Sequence, residues 1–140
     1  MADDIILNRA EIIERCLRRI DEEYSGHQAE LAANFTKQDS IILNLQRACE
    51  AAIDLAMHLV RVRRLDLPQE SRDAYDMLHK AGILDDVLAG KMKSMVGFRN
   101  IAIHDYRELN LDILRAIIET RLGDFTEFTK LAIKTTNPSS

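Results

Sequence analysis

The stretch Ile41-Ile42-Leu43-Asn44-Leu45-Gln46-Arg47-Ala48-Cys49-Glu50-Ala51-Ala52-Ile53-Asp54-Leu55-Ala56-Met57-His58-Leu59-Val60 decides the fold class. Ile41, Ile42, Leu45, Ala48, Cys49, Ala52, Ile53, Ala56, Leu59 and Val60 return every three or four residues. That period is a helix burying one stripe, not a strand, whose apolar residues would alternate. With its polar flanks the helix should run from about Lys37 to Arg63, capped by Asp39 or Ser40 or with these just inside its start. Ala48, Ala52 and Ala56 form a ridge of small side chains that lets another helix approach closely.

Working outward, the same period appears upstream in Ile5, Ile6, Ile12, Ile13, Cys16, Leu17, Ile20 and Tyr24, giving a helix over Asp4 to Tyr24 that Gly26 kinks or breaks. Downstream, Pro68 disfavours helix at Leu67. A short helix follows from Gln69 or Glu70 to Lys80, ended by Ala81-Gly82, where glycine can take the left-handed C′ conformation. Leu84, Val87, Leu88, Met92, Met95 and Val96 define another helix, ending near Asn100 or Ile101. Ala102 to Leu109 lacks periodicity and reads as a turn or junction; Asn110 then caps a last helix carrying Leu111, Leu114, Ile117, Ile118, Leu122, Phe125 and Phe128. The expected architecture is all-α: an antiparallel bundle of four long helices and one short one. It forms one domain over residues 1–134, followed by a flexible polar tail over 135–140.

Composition agrees. Hydrophobic residues make up 46% of the 140, enough for a real core, and 5 Gly, 2 Pro and no Trp are too few turn-formers for a many-stranded fold. The net charge of −4 excludes a uniformly basic polyanion binder. Between Lys91 and Arg107, however, Lys91, Lys93, Arg99 and Arg107 face the single acid Asp105, and Arg61-Val62-Arg63-Arg64 is a second basic spot. Either cluster suits one localised anion or a solvated helix face equally well. Cys16 and Cys49 fall on apolar stripes and read as buried free thiols. The acidic start Met1-Ala2-Asp3-Asp4 is not a secretory signal, and no apolar run approaches the roughly 18 residues that span a bilayer, so a cytoplasmic location is expected.

There is no phosphate-binding glycine loop, Cys-x-x-Cys, His-x-x-x-His or nucleophile elbow. His58, four residues after Asp54 and off the apolar stripe, reads as a surface ion pair; His27 and His79 lie near helix ends, where histidine contacts terminal carbonyls. His104 differs. The run Met95-Val96-Gly97-Phe98-Arg99-Asn100-Ile101-Ala102-Ile103-His104-Asp105-Tyr106 gathers a guanidinium, an amide, an imidazole and a phenol. That set suits phosphodiester cleavage without metal or cofactor. His104 would exchange a proton with a ribose 2′-hydroxyl or the leaving 5′-oxygen, Arg99 would stabilise charge on the phosphate, and Asn100 would position phosphate or imidazole. In an unbroken helix, residues five apart are separated by about 140° of rotation. Arg99 and His104 therefore meet only if the backbone turns between them or if two subunits contribute. The expected helix end near Asn100 permits the turn. The structural alternative is an Arg99 that holds the last turn and a His104 that caps it.

Arg99, His104 and Tyr106 match the Arg-x4-His-x-Tyr motif of the HepT-like toxins of the HEPN superfamily, and the flanking Met-Val-Gly-Phe-Arg-Asn run, placed before the last helix, is similar too. The resemblance is strongest over residues 82–110 and implies several things beyond composition. The fold would be HEPN-like, and two subunits would line a shared RNA-cutting cleft. A minimal nucleotidyltransferase antitoxin of the MntA type would transfer AMP from ATP to Tyr106, silencing Arg99 and His104 by bulk and negative charge. HEPN domains also serve as non-catalytic nucleotide-binding or scaffold partners of nucleotidyltransferases, which is the competing expectation.

Overall fold

The computed structural model describes residues 3–104 and 110–136; of His104 and Thr136 it describes the backbone alone. All regular structure among these residues is helical: α1 (Asp4–Tyr24), a 3-10 turn (Gln28–Glu30), α2 (Phe35–Val62), α3 (Ser71–Lys80), α4 (Asp86–His104), α5 (Leu111–Thr120) and α6 (Leu122–Thr136).

The helix starts are set by short polar side chains that satisfy otherwise orphaned backbone amides. Asp3 accepts from the amides of Ile5 and Ile6 at α1. Asn34, not Asp39 or Ser40, caps α2 by accepting from the Lys37 amide, so the helix begins earlier than its stripe suggested. At α3, Glu70 and Asp73 form a reciprocal capping box. Asn110 caps α5 as its sequence indicated. Gly82 ends α3 with a φ of +79°, the left-handed C′ position its sequence predicted.

α1 and α2 run antiparallel along their length. Three contacts mark the register: Asp3 with His58, Arg9 with Asp54, and Glu23 with Lys37. The alanine ridge of α2 is buried throughout. α3 and α4 pack against α2, and α6 packs on α1, α2 and α4, with Tyr75 meeting Phe128 edge to face at 5.5 Å. Cys16 and Cys49 are buried free thiols in this core.

Two elements depart from the sequence pattern. The expected last helix divides at Arg121, whose side chain turns to Asp124 at 3.0 Å while Lys91 approaches the same buried carboxylate at 3.7 Å. A continuous apolar period cannot reveal such a break, because Leu122, Phe125 and Phe128 keep the spacing across it. α4 in turn runs on through His104, past the expected end near Asn100. α6 continues to Thr136, and residues 137–140 lie outside the described residues. No helix among the described residues is long and apolar enough to cross a membrane.

Candidate active site

Arg99 lies where three helices meet. Its Nη1 donates to Glu50 Oε1 of α2 at 3.2 Å, and its Nη2 donates to Ser71 Oγ, the first residue of α3, at 3.2 Å. The side chain is only 20% exposed, and its Nε is buried without a partner among the described residues. A buried donor left unsatisfied is costly, so it is a standing place for an acceptor to enter. Beneath it, burial pushes the Cys49 thiol up to about 12 against the opposing pull of Arg99, and burial likewise holds the Tyr75 phenol far above its usual range. Both stay neutral, so the charge balancing Arg99 here is Glu50.

The continuity of α4 decides how the motif can work. Because the helix does not turn between Asn100 and Ala102, positions 99 and 104 remain about 140° apart. The turn that would have joined them within one chain is absent. Arg99 sits in the middle of the helix's buried side, between Met92, Met95, Val96 and Ala102, whereas half-buried Asn100 lies one turn before position 104 on its face. Tyr106 lies outside the described residues, as do Asp105 and Arg107.

Beside this motif the surface is apolar. Ile101 and Ile113, 47% and 54% exposed, border a groove of about 410 Å³ between α4 and α5 that Met95, Phe98 and Ile117 also line. A larger groove of about 660 Å³, between α1 and α2, is lined by Arg15, Arg18, Arg19 and Arg47 and not by Arg99 or Asn100.

Several sequence expectations change. The basic cluster is largely answered within the fold: Lys93 pairs with Asp76 at 2.8 Å, Lys91 with Asp124 and Arg99 with Glu50. Arg63 donates to the Thr135 carbonyl at 3.3 Å, tying α2 to α6. His58 is not a surface partner of Asp54. It is 8% exposed, and its Nε2 meets Asp3 Oδ2 at 2.5 Å, while Asp54 pairs with Arg9. His79 contacts the Leu84 carbonyl at 3.0 Å, and His27 contacts Glu30, a side chain and not a terminal carbonyl. Glu50 and Ser71 were not foreseen as Arg99's partners; their sequence distances from it give no signal. Among the described residues no group of three or more His, Cys, Asp or Glu is placed to hold a metal.

Comparison with known proteins agrees with this helical frame. The family described as ribonuclease HepT-like matches residues 13–132. The mRNA nuclease HepT of Shewanella oneidensis is 47% identical over 126 residues, 90% of this chain and 94% of that protein. Among solved structures, the tri-AMPylated Shewanella oneidensis HEPN toxin in complex with MNT antitoxin superposes with a TM-score of 0.88 at 46% identity, covering 92% of this chain and 96% of that one. A toxin–antitoxin crystallised with AMP-PNP gives 0.89 at 44% identity, covering 93% and 98%. The chain belongs to the ribonuclease HepT-like family and has the HEPN fold.

Proposed function

We propose that this chain is the ribonuclease toxin of a toxin–antitoxin pair and cuts RNA with Arg99 and His104 supplied by two copies of itself. The observation that carries the reading is Arg99 in its motif. Its guanidinium is fixed by Glu50 and Ser71 yet keeps a buried donor with no partner among the described residues, in a chain 47% identical to an mRNA nuclease. The 2′-oxygen attacks phosphorus as the bond to the 5′-oxygen breaks. His104 takes the 2′-hydroxyl proton, and the leaving 5′-oxygen ends protonated. Arg99 stabilises the charge gathering on the phosphate, and Asn100 positions it. No metal or cofactor takes part, and DNA, lacking the 2′-hydroxyl, is not cut.

The homodimer belongs to this reading: positions 99 and 104 are about 140° apart on unbroken α4, so one chain's Arg99 is matched with the other's His104, and the exposed Ile101 and Ile113 are available to a second copy. The antitoxin partner is an MNT nucleotidyltransferase. Tyr106 Oη attacks the α-phosphorus of ATP, pyrophosphate leaves, and the phenol proton is released. Each AMP adds about one negative charge to a site built for phosphate. The chain acts in the cytoplasm as one domain over residues 1–134.

The Arg99–Glu50 pair favours a second reading as well, in which the motif only fastens helices and the chain is a non-catalytic nucleotide-binding or scaffold partner. Expression separates the two: the chain alone should arrest growth, and co-expressed antitoxin should relieve it. Purified protein should cut RNA in the presence of chelator, with His104→Ala reducing the rate by about 10²–10⁴-fold. Undiminished cleavage by His104→Ala, or growth unaffected by the chain alone, would favour the scaffold. Added AMP mass should fall on the Tyr106 peptide, and Tyr106→Phe should stay toxic beside the antitoxin.

A further inference from the structure

Gly97 occupies the middle of α4, where glycine is a costly choice for a helix. The structure gives a reason for it. A Cβ at Gly97 would stand 3.0 Å from Nη2 of Arg72, closer than such contacts ordinarily come. Arg72 reaches across from the first turn of α3, and its Nε donates to the Lys93 carbonyl at 3.4 Å. The guanidinium thus lies along the backbone of α4, seated over residues 93 and 97.

That location matters because of what shares the face. Positions 93, 97, 100 and 104 fall within about 60° of one another on a helix of 3.6 residues per turn. Arg72 therefore lies on the face that carries Asn100 and the position of His104, whereas Arg99 is on the buried side. Arg72 is exposed and forms no ion pair among the described residues, unlike Lys91, Lys93 and Arg99. Asp76, the carboxylate one turn along α3, is engaged by Lys93 at 2.8 Å. An unpaired guanidinium fork held in place is suited to bidentate contact with a phosphate.

We propose that Arg72, seated by Gly97, is a phosphate-binding residue of the RNA site. Gly97 is about 10 Å along the helix axis from position 104, so Arg72 holds a phosphate next to the one being cut. It is a positioning residue and not a catalytic one. Its contact is the same before and during bond breaking, so it contributes to binding and leaves the chemical step alone. The proposal rests on the ribonuclease reading for the identity of the anion, but its test does not need cleavage.

The test is binding of fluorescein-labelled single-stranded RNA by full-length His104→Ala protein, read by anisotropy across a salt series. Adding Arg72→Ala should weaken binding by about tenfold and reduce the salt slope by about 0.7, the loss of one phosphate contact on a single strand. Arg72→Lys should recover only part. Gly97→Ala should reproduce part of the loss in the presence of Arg72 and none in the Arg72→Ala background, a coupling that a merely structural role would not give. In the cleaving protein, Arg72→Ala should raise KM with kcat little changed. Unchanged affinity and salt slope in Arg72→Ala would overturn the proposal even if the protein cuts RNA, as would an equal Gly97→Ala effect in both backgrounds. If Arg72→Ala does not fold, as judged by melting, Arg72→Lys and Gly97→Ala carry the same comparison. A protein that binds RNA through Arg72 but never cuts it would refute the nuclease reading and leave this seat standing.

Discussion

α2 and α4 are both rich in apolar residues, but they spend them differently. α2 buries its stripe against the other helices and turns Arg47, Asp54 and Arg61 outward. α4 carries apolar residues around most of its circumference. Leu88, Met92, Met95, Val96, Phe98 and Ala102 are buried, while Val87, Ile101 and Ile103 remain exposed. A helix with one apolar stripe is used up by its own fold; one that is apolar nearly all round expects to be covered on more sides. The motif sits at the end of the second kind. Stability should therefore be concentrated in α2, and association and chemistry in α4.

The comparison breaks first at Arg99. Arg99→Ala should slow RNA cleavage by about 10²–10³-fold while melting close to wild type, because Glu50 is 43% exposed and can be solvated once alone. Arg99→Lys should recover only part of the rate, since the two-pronged contact is lost. If Arg99→Ala instead unfolds the protein, the residue is a fastener and the contrast between the helices fails. In α2 the expectation reverses. Leu45 is fully buried, and Leu45→Ala should cost about 2–5 kcal/mol by denaturant titration, with the cleavage rate of the folded fraction unchanged.

On α4, Ile101→Glu changes an exposed side chain. It should alter monomer stability by no more than about 0.5 kcal/mol yet shift sedimentation from dimer to monomer and abolish cleavage with it. Gly82→Ala, at a φ of +79° with nothing within 4 Å of the added Cβ, should cost about 1 kcal/mol through backbone strain alone.

The smallest effect concerns acid. The hydrogen bond from His58 holds the Asp3 carboxyl below its ordinary value of 3.8, with the amides of Ile5 and Ile6 adding to it against a partial cost of burial. A depressed folded value contributes stability that is present above pH 3.8 and is lost as pH falls through the folded value. Asp3→Asn keeps an acceptor for the helix cap but loses the charge. The variant should be less stable near neutrality, and its melting curves should converge with wild type once pH falls below the folded value.

The stripes of α1, α2 and α3 were legible because each helix buries an apolar face, and Gly26, Pro68 and Gly82 follow their ends as punctuation. The end of α4 was misread for the reason just given. Ile101 and Ile103 are apolar but exposed, on either side of buried Ala102, so they blur the stripe, and loss of period looked like loss of helix. His58 was misread because its partner, Asp3, lies 55 residues away across the α1–α2 hairpin. At the site the motif residues could be found by spacing, but Glu50, Ser71 and Arg72 could not, since they reach α4 through tertiary packing. Gly97 was an available signal, a glycine inside a helix with no turn to make, but Gly90 in the same helix looks alike in sequence and meets nothing within 4 Å.

The central claim is that Arg99 and His104 work across two chains. Mixing inactive Arg99→Ala and His104→Ala proteins, after a step that lets subunits exchange, tests it directly. In a heterodimer one of the two sites regains both residues, so cleavage should return to about a quarter of wild type with random pairing in a two-fold dimer. If each chain carried its own complete site, every site in the mixture would keep one lesion. A mixture as inactive as its parts, with subunit exchange verified, would contradict the account.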